Sequence, residues 1–110
     1  MSSCMRRNAA ILRLLRKLKP KTLRAVMKEA YPDLIKALCE CSLNILKGNV
    51  KLNRAQKKKL CRYKNKLRAL IAKKTSMKSR KQILQSGGLI GALLGPVIGV
   101  LGSLLGARRL

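Results

Sequence analysis

The chain has 110 residues, with 27 Lys and Arg against three acids (Glu29, Asp33 and Glu40), no His, and a formal net charge of +24. Acid–base chemistry needs a proton-transfer group or a metal. Without His or paired carboxylates at a plausible site, the expectation is a non-enzymatic protein that carries no cofactor and no metal. A charge of this size calls instead for a polyanionic partner, because a compact monomer holds its cations against one another until counter-ions or an anion relieve them. Free in dilute buffer, the chain is expected to be poorly folded.

The length allows one small domain with a modest core. Phe and Trp are absent, and Tyr31 and Tyr63 are the aromatic residues. A row of rings for stacking splayed single-stranded bases is therefore excluded, and contact with a nucleic-acid backbone is the better fit. Cys4, Cys39, Cys41 and Cys61 form no Cys-x-x-Cys pair, and residues 39 and 41 fall on opposing sides of a helix. They are expected as small buried hydrophobes or free thiols, with metal or disulfide roles as the alternative. Cys61, beside Arg62, has no base to act with and reads as a reactive thiol at most. Arg13, Arg16 and Lys17 interrupt the apolar stretch that follows Arg6 and Arg7, so this is not a secretory signal.

The expected fold class is all-α: several short amphipathic helices, one long basic helix, and a hydrophobic Gly-rich C-terminal helix or hairpin. Ile11, Leu14, Leu15 and Leu18 recur at helical spacing. That helix should stop near Lys19, because Pro20 disfavours helical geometry in the residue before it. Leu23, Val26, Met27 and Ala30 mark a second short helix. Pro32 and Asp33 signal a third start, with Asp33 as a cap. Its apolar face is Leu34, Ile35, Leu38, Ile45 and Leu46, opposite Lys36, Glu40, Asn44 and Lys47, and Gly48 stops it. The core is placed here.

Asn53 and Gln56 resemble a capping box, with Leu52 where a hydrophobic staple begins. One long helix is expected from about Arg54 to Lys74, with a stripe of Leu60, Tyr63, Leu67, Leu70 and Ile71. Thr75 and Ser76 offer another cap for a weaker helix through Met77, Ile83 and Leu84, ended by Gly87 and Gly88. The chain thus divides into basic amphipathic N-terminal helices over 1–31, a helical basic nucleic-acid-binding region over 32–86, and a hydrophobic Gly-rich tail over 87–110.

Residues 51–86 hold 14 Lys or Arg and no acid. A solvated face normally alternates signs, and here nothing within the segment neutralises the charge. The candidate phosphate ligands are Arg54, Lys57, Lys58, Lys59, Arg62, Lys64, Lys66, Arg68, Lys73, Lys74, Lys78, Arg80 and Lys81. No recognition motif for base edges is present, so sequence-independent binding and condensation of double-stranded DNA is expected. Charge does not distinguish RNA from DNA. Lys57-Lys58-Lys59 also fits a nucleus-directed address.

Residues 89–107 carry no charge, and Arg108 and Arg109 follow. As a helix this tail could just cross a bilayer. Gly91, Gly95 and Gly99 recur every four residues, with Gly102 and Gly106 near that face, a pattern that lets membrane helices approach closely. Leu89 opens the segment, and Pro96 with the five glycines weakens its helix in water. Membrane insertion or disruption stands against packing onto the upstream helices and against self-association.

A basic segment that runs into Gly87-Gly88 and then Leu89-Ile-Gly-Ala-Leu-Leu-Gly-Pro-Val-Ile-Gly resembles the precursor of adenovirus core protein X. It resembles more closely the small proteins of Polinton (Maverick) elements and adintoviruses. The resemblance covers roughly Leu34 to the C-terminus, including Ala37-Leu-Cys-Glu-Cys, Leu46-Lys-Gly-Asn-Val, and Gln56 to Leu70. It implies a virion core protein that condenses double-stranded DNA, located in the virion core or host nucleus, with a hydrophobic C-terminal part removed by a viral protease. The family's protease sites place an aliphatic residue two positions before Gly-Gly. Here that position is Gln85, with Leu84 one step too early. Residues 1–31 have no counterpart in the resemblance and fit a lineage-specific addition. The competing expectation is a membrane-active or tail-anchored protein, its basic helices on anionic headgroups and residues 89–107 inserted.

Overall fold

The computed structural model describes residues 3–86 and 88–106. Among them the chain is all-helical: α1 (Ser3–Arg7), α2 (Ala9–Arg16), α3 (Pro20–Lys28), α4 (Pro32–Leu46), α5 (Arg54–Arg62), α6 (Lys64–Ile71), α7 (Met77–Gln85) and α8 (Leu89–Gly106). Gly87 and the sequence from Ala107 on, including Arg108 and Arg109, lie outside the described residues.

Proline places the first boundaries. Lys19 is extended (φ −68°, ψ 151°) and Pro20 opens α3, as the clash between a proline ring and the preceding residue requires. Helix α2 has already ended at Arg16, its carbonyls taken up by tight turns from the Lys17 and Leu18 amides to Leu14 and Leu15. The inward ridge of α2 differs from the expected stripe. Leu12 and Leu15 are buried, Ile11 and Leu18 are half-covered, and Leu14 faces outward at 61% exposure. The helix turns Leu12 and Leu15 toward α8, against which it packs, and Leu14 falls on the opposite side.

Helix α4 is the longest element before the tail and is buried over a broad arc: Leu34, Ile35, Ala37, Leu38, Cys41, Ser42 and Ile45. The Ser42 hydroxyl satisfies itself on the Leu38 carbonyl at 2.8 Å. Gly48 takes φ +77°, with the Gly48 amide donating to Ile45 and the Asn49 amide to Asn44. That pair of bonds is the Schellman stop, and the left-handed residue in it suits glycine. Asp33 departs from its expected role. Pro32 occupies the first helical position and Tyr31 the cap, with no side-chain cap bond. Asp33 instead reaches back to α1.

The one long basic helix expected over 54–74 is two helices. Asn53 and Gln56 form the full capping box, each side chain accepting from the other's backbone amide (2.8 and 3.1 Å). Helix α5 then ends at Tyr63 (φ −105°, ψ 11°), which is also the cap of α6. The two halves have different neighbours: α5 packs on α8, whereas α6 packs on α4 and α7. Leu60 is the buried residue of α5, and Leu67 and Leu70 those of α6. Helix α6 stops at Ile71, with Thr75 Oγ1 donating to the Ala69 carbonyl at 2.6 Å, so Lys73 and Lys74 lie in the connection. Ser76 caps α7 by accepting from the Ser79 amide.

The tail is one helix, α8, meeting α7 at 97°. Leu89, Ile90, Leu93, Leu94, Val97 and Leu101 are buried and pack among α2, α5, α7 and α4. They join Met5, Leu12, Met27, Leu38, Leu67, Leu70 and Leu84 in a single hydrophobic cluster. No single helix among the described residues is long and apolar enough to cross a membrane, although the bent pair α7–α8 would be by length and composition together.

Candidate polyanion interface

Helices α5 and α6 bury little of their circumference, Leu60 on one and Leu67 and Leu70 on the other. Most of the rest is cationic. Arg54, Lys57, Lys58, Lys59 and Arg62 on α5, and Lys64, Lys66 and Arg68 on α6, are all exposed. Lys57, Lys58 and Lys59 are consecutive, so they fan around about 200° of the helix at 3.6 residues per turn. Their charges thus face several directions rather than one flat surface. Lys73, Lys74 and Lys78 are exposed beyond the end of α6.

Arg80 and Lys81 differ from the other candidates in being half-buried. The Arg80 guanidinium donates to the Ala72 carbonyl at 3.3 Å. A cation there meets the negative end of α6 and satisfies a carbonyl left open where the helix stops. Arg80 is therefore partly committed to holding α6 against α7. Lys66 sits 5.8 Å from the centre of the Tyr63 ring, close enough for attraction to the ring face.

No Asp or Glu follows Glu40 in the sequence. Asp33, in the first turn of α4, lies 2.8 Å from Arg7 Nη2. It also accepts from the Asn8 amide group at 2.9 Å, while Tyr31 donates to the Asn8 oxygen at 2.8 Å. The Arg7 guanidinium beside Asp33, helped by Asn8, holds the Asp33 carboxyl well below the usual carboxylate range. This node fastens α1 to the start of α4.

The four cysteines are free thiols. Burial pushes Cys41 up to about 12 and raises Cys39 as well. Burial and the neighbouring Asp33 raise Cys4. Cys61 is exposed. Among the described residues no group of three or more His, Cys, Asp or Glu side chains gathers to hold a metal ion.

The tail residues singled out for membrane contact or self-association divide by face. Leu89 and Pro96 point into the core, while Gly91 and Gly99 are exposed and Gly95 is half-exposed. Nothing lies within 4 Å of where a side chain at Gly91 or Gly99 would begin, and at Gly95 the first neighbour is the Gln56 amide nitrogen, 3.5 Å away. Gly102 and Gly106 continue the same helix. The glycine face of α8 is thus turned away from the core. Two cations outside the expected set, Arg16 and Arg24, line a cavity with Gly88 and Gly91. No local signal marks them, because they meet α8 through the tertiary fold.

No family model, curated protein or solved structure matches this chain.

Proposed function

We propose that the protein is a non-enzymatic, sequence-independent nucleic-acid-binding and condensing protein, with double-stranded DNA as its main ligand. The observation that supports this most is the exposed, unbalanced cationic surface of α5 and α6, eight Lys and Arg on two helices in a stretch without an acid. Duplex DNA carries one phosphate every ~1.7 Å of axis. Helix α5, about 13 Å long at 1.5 Å per residue, therefore spans enough phosphates to occupy each of its cations. Because those cations fan around the helix, one molecule can touch two duplexes, which is what condensation requires. The resemblance noted above adds a setting, the virion core of a virus or virus-like element, or the nucleus.

The competing membrane reading asks more of the fold. The apolar side chains of α8 from Leu89 to Leu101 complete the core, so insertion would have to withdraw that helix and expose its partners. The direct test is a titration of full-length protein against duplex DNA of mixed sequence at several salt concentrations. Affinity should fall with a logarithmic slope of ~0.9 per phosphate contacted, and vary little with sequence. A flat salt dependence, or flotation with zwitterionic liposomes in preference to sedimentation with DNA, would overturn the proposal.

A further inference from the structure

Gly88, just before α8, and Gly91, Gly95 and Gly99 on it fall along one strip, exposed except for half-exposed Gly95, on the side opposite buried Leu89, Leu93 and Val97. Two cavities share the first turn of that strip. One, of about 140 Å³, is walled by Arg16, Arg24 and apolar residues of the α2–α3 corner, and includes Gly88, Ile90, Gly91 and Leu94. The other, of about 400 Å³, is walled by Lys59, Arg62 and Tyr63, and includes Gly88, Gly91 and Ala92. Gly91 is thus the open floor between two walls, each bearing two cations, while at Gly88 the Tyr63 hydroxyl lies 3.0 Å from where a side chain would begin. Neither wall contains an acid.

The charge on these walls comes from three separate elements, so the cleft is a product of the fold and not of a local basic run. Its floor is also unusual. A helix interior tolerates Gly poorly beside Ala, because the unrestricted backbone must be ordered without a side chain to pack. At Gly91 no neighbour explains the missing side chain, since the space above it is open for 4 Å. A smooth floor lets an extended chain lie close to the helix, and two cationic walls neutralise it from both sides. The geometry points to this cleft as the seat of a single sugar-phosphate strand of the duplex, gripped from two sides, with the fan of α5 and α6 cations contacting neighbouring phosphates. This inference rests on the nucleic-acid proposal above.

The charge-neutral variant Gly91→Gln separates a shaped seat from mere charge. Its side chain has room in the folded protein and obstructs the floor, and Gly99→Gln, on the same strip beyond both cavities, is the control. Duplex binding by the full-length proteins is measured across salt, with helicity checked by circular dichroism. Gly91→Gln should bind about tenfold more weakly and lose about 2 from the logarithmic salt slope, as expected for two phosphates at ~0.9 each. Gly99→Gln should match the parent. Arg16→Gln with Arg24→Gln, at solvent-exposed sites, should give the same loss, and adding Gly91→Gln should cost little more, since all three act on one strand. If Gly91→Gln binds DNA like the parent, the seat is refuted while the basic-surface proposal stands, whatever the loss of two charges does in the double Arg variant. If the parent itself shows no salt-dependent binding, both fall. Selective loss of binding to anionic vesicles, with DNA binding intact, would reassign the cleft to a lipid headgroup and also refute the seat.

Discussion

Asp33 carries more of the fold's pH dependence than its place in the sequence suggests. Its carboxylate faces Arg7, Asn8 and the Cys4 thiol, and it is one of three acidic side chains in the chain. A carboxyl held below its unfolded value of about 3.9 stabilises the folded state above that pH. The contribution is lost as pH falls below about 4 toward the depressed folded value. Melting temperature should therefore drop on acidification below pH 4, and Asp33→Asn should melt lower at pH 7 and lose most of that acid dependence. An unchanged acid limb in the variant would place the titration elsewhere. Thiols give a second residue-scale test. With Cys61 exposed and Cys41 buried, a soluble thiol reagent should label Cys61 in the native protein and reach Cys41 after denaturant is added, as mass spectrometry would show. Sequence alone supports the free-thiol assignment from spacing. It could not reveal the Asp33 node, because Arg7 and Asn8 lie about 25 positions away in the chain and only the docking of α1 brings them together.

At the scale of single helices, the boundaries with local chemistry were legible. Pro20, Pro32, Gly48, the Asn53–Gln56 box and Ser76 each mark an end that the structure uses. Two substitutions measure what these signals are worth. Asn53→Ala should cost about 1 kcal/mol, typical for loss of an N-cap. Gly48→Ala should cost about 1–2 kcal/mol, because an L-residue resists the left-handed region and the site is otherwise empty. Chemical denaturation checks both. The break at Tyr63 was not legible, since no Gly, Pro or cap-forming residue stands there. It follows from tertiary demand: α5 and α6 bury their leucines against different partners. The stripe of α2 departs from the expected one for a similar reason. Ile11, Leu12, Leu14 and Leu15 offer two overlapping ridges, and the position of α8 selects Leu12 and Leu15.

For the molecule as a whole, charge and core pull in opposite directions. A single cluster drawn from nearly every helix is enclosed in a surface with net charge +24. Attractive pairs such as Arg7–Asp33 are few beside the repulsions. Added NaCl should therefore raise the thermal midpoint over the first few hundred millimolar, since screening acts mainly on like charges. A midpoint that falls with salt would show that attractive pairs dominate. Sequence composition conveyed the repulsion and the excess of cations. It could not show that the apolar tail is the element that closes the core, because nothing in a run of Leu, Ile and Gly distinguishes a lipid partner from leucines upstream.

That arrangement sets a schedule for synthesis. Leu12 and Leu60 lie on α2 and α5, helices that pack on α8, so neither completes its packing until α8 has left the ribosome. Until then α2 and α5 lack their main partner, and the nascent segment is a cationic chain close to ribosomal RNA. Closure of the core is thus tied to the synthesis of α8. A pause before codon 89 would leave Leu12 and Leu60 without the helix that covers them.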